Sequence, residues 1–146
     1  MKHTVIAISG GSSIGKSTAV NAVIDVLPSH FPGAIVEFLI TGGDNRVIVT
    51  IGDIKIGIES QGDPGSRLPE SLKIFLARGC QIIICATRTS GGTVNAVQAL
   101  QDNHQFDVIW TKHYSSKEKH AATPIINQFF AEHMAHLVRQ LINGVI

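Results

Sequence analysis

The residues best placed to do chemistry stand near the start of the chain, where positions 5–20 read VIAISGGSSIGKSTAV. Gly10, Gly15, Lys16 and Ser17 satisfy the spacing G-x-x-x-x-G-K-[ST] without a mismatch. Glycine lets the backbone curl tightly, so the segment Gly10, Gly11, Ser12, Ser13, Ile14 and Gly15 is expected to turn its N–H groups inward as a nest for an anion. A helix opening near Lys16, Ser17 and Thr18 adds unpaired N–H donors and the positive end of its dipole. In such a turn Lys16 reaches the β- and γ-phosphates of a nucleotide, and the Ser17 hydroxyl joins the coordination shell of Mg2+. The plainer alternative is a glycine-rich strand-to-helix turn with a solvated lysine.

The flanking residues favour the first reading. TVIAIS (4–9) is the apolar run of a buried strand, and Ala19, Val20, Ala22, Val23, Val26 and Leu27 form a helical stripe that stops before Pro28. Strand, glycine turn and helix in this order resemble the P-loop NTPase superfamily. The resemblance implies an α/β fold with nucleotide bound at the strand tips.

A phosphate site of this kind needs a carboxylate for its metal. IKIGIES (54–60) ends in Glu59, and Asp63 follows in the turn GDPG. The two candidates stay open, with Asp63 slightly favoured because a glycine-flanked loop approaches a metal closely. For Glu59 the alternative is a solvent-facing strand residue, and for Asp63 a turn former before Pro64. Arg88, in ATRTSGGT, stands at a strand tip before Gly91, Gly92 and a helix start at Thr93. It is the second candidate for catalysis after Lys16, holding an acceptor or steadying the transferred phosphoryl group.

Two subfamilies share parts of this pattern. Ras-like GTPases also place an antiparallel hairpin after the first helix, then an aspartate-glycine loop, and carry [NT]-K-x-D after a later strand. TKHY (111–114) keeps Thr111 and Lys112, but Tyr114 replaces the aspartate that would pair with guanine. ATP is therefore favoured over GTP. Small P-loop kinases cover the transferred phosphate with arginines, a role that Arg88 would fill; the loop 111–123 is the one candidate for a lid.

The elements that must position these residues follow from periodicity. AIVEFLI (34–40) reads as a strand, and RVIVTIGDIKIGIES (46–60) as a hairpin around Gly52-Asp53, a pair suited to a type II′ turn. Residues 68–78 read as a helix with Leu68, Leu72, Phe75 and Leu76 apolar and Gly79 as its stop. QIIICAT (81–87) is a strand, 92–102 a helix carrying Val94, Val97 and Leu100, and FDVIW (106–110) a strand. Thr123 is expected to cap a long final helix with Pro124 in its first turn and Ile126, Phe129, Phe130, Met134, Leu137, Val138 and Leu141 buried. The expected architecture is a single-domain α/β fold over residues 1–146. Its sheet is mostly parallel with one antiparallel hairpin, and helices cover both faces. Four polar segments would then share one edge: the glycine turn, Glu59 to Asp63, Arg88 to Thr93, and Lys112 to Tyr114.

Composition narrows the partners. At 146 residues with 44% hydrophobic content the chain suits one domain with a real core. A net charge of +1, without a basic run, gives no case for nucleic-acid binding. No apolar run is long enough to span a bilayer, and MKH leads straight into the first strand, so a cleaved leader would destroy the motif. A cytoplasmic protein is expected. Cys80 and Cys85, five strand residues or roughly 16 Å apart, lie too far apart to bridge and read as buried free thiols. His133 and His136 lack a third ligand at metal-binding spacing, and Ser12 and Ser13 belong to no recognisable Ser/His/Asp set. Three functions remain: Mg2+-dependent hydrolysis of a nucleoside triphosphate, phosphoryl transfer to a small acceptor, and a noncatalytic nucleotide-binding or assembly module.

Overall fold

The computed structural model describes residues 1–10, 15–62 and 67–146. Its strands are β1 (Thr4–Ser9), β2 (Ile35–Ile40), β3 (Arg46–Ile51), β4 (Ile54–Glu59), β5 (Ile82–Thr87) and β6 (Asp107–Thr111). Its helices are α1 (Lys16–Val26), α2 (Leu68–Ala77), α3 (Gly92–His104) and α4 (Thr123–Ile142). The strands form one mixed sheet in the order β2-β3-β4-β5-β1-β6. β4, β5, β1 and β6 run parallel, whereas β3 is antiparallel to both β2 and β4.

The burial of each strand follows from its place in that order. All six residues of β5 are buried, as a central strand covered on both faces requires. β2 and β6 are the edges, and exposed Ile35, Phe38 and Trp110 mark them. Side chains alternate between two cores. Ile6, Ile8, Ile56, Ile58, Ile82 and Ile84 pack with Val20, Val23, Phe130 and Val138, which puts α1 and α4 on one face. Val5, Ala7, Ile83 and Cys85 pack with Leu72, Phe75, Val97 and Leu100, which puts α2 and α3 on the other.

Gly57 is part of that second packing. A Cβ on Gly57 would lie 2.4 Å from the Phe75 ring, so the missing side chain is the space the phenyl group fills. At the β3–β4 turn Gly52 takes φ 57° while Asp53 is not in the positive-φ region, as a type II′ turn requires. α2 closes as expected at Gly79: Gly79 N donates to Leu76 O and Cys80 N to Phe75 O, the paired bonds of a Schellman ending.

Two expectations for α4 are corrected. Thr123 is the first residue of the helix and Ala122 its N-cap; the Thr123 hydroxyl donates to His120 O instead of capping. Phe129 is 58% exposed while Phe130 is fully buried. Adjacent helix positions point about 100° apart, so only one of the two phenylalanines faces the sheet. Cys80 and Cys85 are buried and free. Desolvation pushes the Cys80 thiol up to about 11 and the Cys85 thiol up to about 12. Among the described residues, no helix is long and apolar enough to cross a membrane.

Candidate functional site

Parallel register brings the carboxyl ends of the central strands to one edge. Ser9 of β1 lies opposite Thr87 of β5, and Ile8 opposite Thr111 of β6. The chain leaving β1 is tied to the neighbouring tip, with Gly10 N donating to Thr87 O at 3.1 Å. α1 then starts at Lys16 behind Gly15, whose φ of 91° lies in the left-handed region that a side chain disfavours. Among the described residues no side chain caps this helix start, and the positive end of its dipole lies at the edge.

Lys16 is 5% exposed, and its Nζ lies 2.6 Å from both Gly10 O and Thr87 O. A buried ammonium is costly unless its donors are satisfied, and these two carbonyls hold it at the helix start. Ser17 Oγ donates to Ser60 O at 2.9 Å, which joins α1 to the chain leaving β4. Ser60 is held in turn by Asn45: its N donates to Asn45 O, and its Oγ accepts from Asn45 N at 2.7 Å. Of the predicted phosphate-binding residues, Gly10, Gly15, Lys16, Ser17 and Thr18 therefore stand at this edge. Gly11, Ser12, Ser13 and Ile14 lie outside the described residues.

The two metal-ligand candidates separate. Asp63 lies outside the described residues; its sequence neighbour Gly62 packs on β5 so closely that a Cβ there would sit 2.3 Å from Ala86 O. Glu59 is fully buried rather than facing solvent, and its carboxylate is already engaged on the α2 side of the sheet. Oε1 accepts from Arg67 Nε at 2.8 Å and from the Ser71 hydroxyl; Oε2 accepts from Arg67 Nη2 and from Gln61 N, both at 3.1 Å. Arg46, opposite Glu59 in the β3–β4 register, adds its Nε at 3.6 Å from Oε1. The hydrogen bonds to Glu59 raise the pKa of Arg67 further. Gln61 Oε1 accepts from Arg67 N at 3.0 Å, which holds these two residues together.

The remaining two polar segments also reach the edge. Arg88 is half-buried at the tip of β5; its backbone N donates to Thr93 Oγ1 at 2.9 Å, which folds the tip onto the first turn of α3. After β6, His113 Nε2 lies 3.7 Å from where a Cβ on Gly15 would be, so this loop flanks the α1 start. Tyr114 turns the other way. Its hydroxyl is 2.7 Å from His133 Nδ1, and its ring meets the Phe130 ring edge-on at 5.4 Å. His133 and His136 are both exposed on α4, and the described residues hold no group of three His, Cys, Asp or Glu that could bind a metal.

Sequence reasoning missed Arg46, Arg67 and Ser71 as partners of Glu59; it put the segment Lys112 to Tyr114 at this edge without singling out His113. An arginine opening β3 opposite a glutamate closing β4 was the one available signal, because a two-residue hairpin dictates that register. No family model matches this chain, and neither any curated protein nor any solved structure is significantly similar to it.

Proposed function

We propose that this protein binds a nucleoside triphosphate, ATP in preference to GTP, together with Mg2+ in the cytoplasm, and transfers the γ-phosphoryl group to water or a small acceptor. The observation that carries the reading is Lys16: a buried ammonium at the start of α1, in the position the G-x-x-x-x-G-K-[ST] spacing assigns to a phosphate-binding lysine. The carbonyls of Gly10 and Thr87, its partners among the described residues, are weak competitors for a charged phosphate oxygen. Ser17 now donates its proton to Ser60 O, which leaves lone pairs on the hydroxyl oxygen for a cation. With Glu59 committed to Arg67 and Ser71, Asp63 is the carboxylate that would complete the metal shell. Mg2+ bound there would neutralise charge on the phosphates. The engagement of Tyr114 with α4 supports ATP, since this residue stands where a guanine-reading aspartate would be needed.

Within this scheme Lys16 holds the phosphate oxygens, Ser17 orients the cation, and the α1 start contributes N–H groups to the developing charge. The kinase form of the reading is favoured by Arg88, whose tip position suits an acceptor. The test is titration of wild type and Lys16→Ala with ATP and Mg2+. Loss of a charged partner is worth about 1.5–3 kcal/mol, so affinity falls about ten- to a hundredfold. Equal affinity would refute the assignment. Turnover measured with and without candidate acceptors separates hydrolysis from transfer, and tight binding without turnover marks a noncatalytic module.

A further inference from the structure

We propose that the tip of β5 and the first turn of α3 form a second anion site, which takes a carboxylate or phosphate group of the acceptor; the acceptor role rests on the reading above. Two independent observations meet here. The first is α3 itself, 13 residues long, which begins behind Gly91 with no side-chain cap. The one hydroxyl in its first turn, Thr93 Oγ1, is already accepting from Arg88 N. The N–H groups at this helix start therefore lack a side-chain acceptor, and the positive dipole end lies at the tip.

The second is a pair of polar atoms left without partners. Thr87 is 0% exposed, and its Oγ1 makes no hydrogen bond. Arg88 Nε is likewise buried and unpartnered. Alternation along β5 sets where Thr87 points: Ile83 and Cys85 pack with Val97 and Leu100 of α3, so Thr87 lies on the same face, level with the start of that helix. Buried donors without acceptors are rare in folded proteins because each costs free energy. An oxyanion is the ligand that satisfies a hydroxyl, a guanidinium and helix N–H groups at once. The approach to this turn is open, since a Cβ on Gly91 or Gly92 would meet nothing within 4 Å. The site holds its ligand and does no chemistry on it. Lys16 Nζ bonds to the carbonyl of the same Thr87, so this anion would lie next to the nucleotide phosphates.

The test uses amide-resolved NMR titration of the full chain with inorganic phosphate in one arm and acetate in the other. Wild type should show saturable shifts at residues 88–94. Arg88→Ala should weaken them at least about tenfold, and Thr87→Val, nearly isosteric, several-fold. Arg88→Lys, which keeps the charge but loses Nε, should give an intermediate loss and serves if the alanine variant is unstable. Saturation by phosphate alone assigns a phosphate-bearing ligand, and saturation by acetate too assigns a carboxylate. Shifts at 88–94 that never saturate, or affinities unchanged in Arg88→Ala or Thr87→Val, overturn the proposal. ATP titrated separately keeps the two readings apart. Anion binding at 88–94 without ATP binding sinks the nucleotide reading alone, and the reverse sinks this one.

Discussion

Replacing Glu59 with glutamine separates a structural carboxylate from a metal ligand. Glu59 is 0% exposed and faces Arg46 at 7% and Arg67 at 20% side-chain exposure. Glutamine keeps the size and one acceptor oxygen, but it removes the charge and turns an NH2 group toward a guanidinium. Arg46 retains Glu70 at 3.4 Å, yet that carboxylate is 67% exposed and screened by solvent. Breaking a buried ion pair by removing one partner costs about 3–5 kcal/mol. Because Arg67 reaches water, the lower end applies, about 3 kcal/mol. For a chain of this size the thermal midpoint should fall by about 6–12 °C. Urea unfolding should show the same loss at an unchanged slope. In the same preparation, Mg2+-dependent ATP binding measured well below the midpoint should stay near wild type, whereas Asp63→Asn should weaken it. A Glu59→Gln variant that keeps its stability and loses Mg2+ dependence would refute the reasoning and make Glu59 the ligand.

Two further outcomes follow from the packing. Gly62→Ala places a methyl group 2.3 Å from the Ala86 carbonyl oxygen, a backbone atom that no rotamer change moves. It should cost about 1–3 kcal/mol in urea unfolding, and it should also reduce Mg2+-dependent binding, since the segment beside the site is pushed off β5. Wild-type values for both would contradict the close approach. The thiols of Cys80 and Cys85 titrate near 11 and 12, above the ordinary 9.0. Between those values the unfolded chain has lost protons that the folded one keeps. Stability is therefore full below pH 9 and declines as pH rises toward 11–12. Cys80→Ala with Cys85→Ala should flatten that alkaline decline, and an unchanged slope would reject the assignment.

The strands were legible because each is a short apolar run with polar punctuation, and β1, β5 and the β3–β4 hairpin lie within a residue of where periodicity put them. Gly57 broke the apolar run of β4 for a reason invisible in sequence: Phe75, eighteen positions on, fills its place. Phe129 and Phe130 show the limit of helical spacing, since adjacent apolar residues both satisfy a loose stripe while only one faces the core. For Glu59 the two alternatives weighed, a metal ligand and a solvent-facing strand residue, left out the buried ion pair, for a related cause. Its partners come from β3 and from α2, brought together by antiparallel register and the return of the chain after β4. Tyr114 was read for what it replaces, whereas its contacts with His133 and Phe130 show what it does.

The reversed direction of β3 has a consequence for engineering. Its hairpin turn at Gly52-Asp53 is exposed and lies at the far end of the sheet from Lys16, six strand residues or roughly 20 Å away. Cargo grafted at that turn, such as a fluorophore, an affinity tag or a surface tether, would sit clear of the edge where substrate would enter. The molecule thus offers one end for attachment while the end proposed to bind nucleotide stays clear.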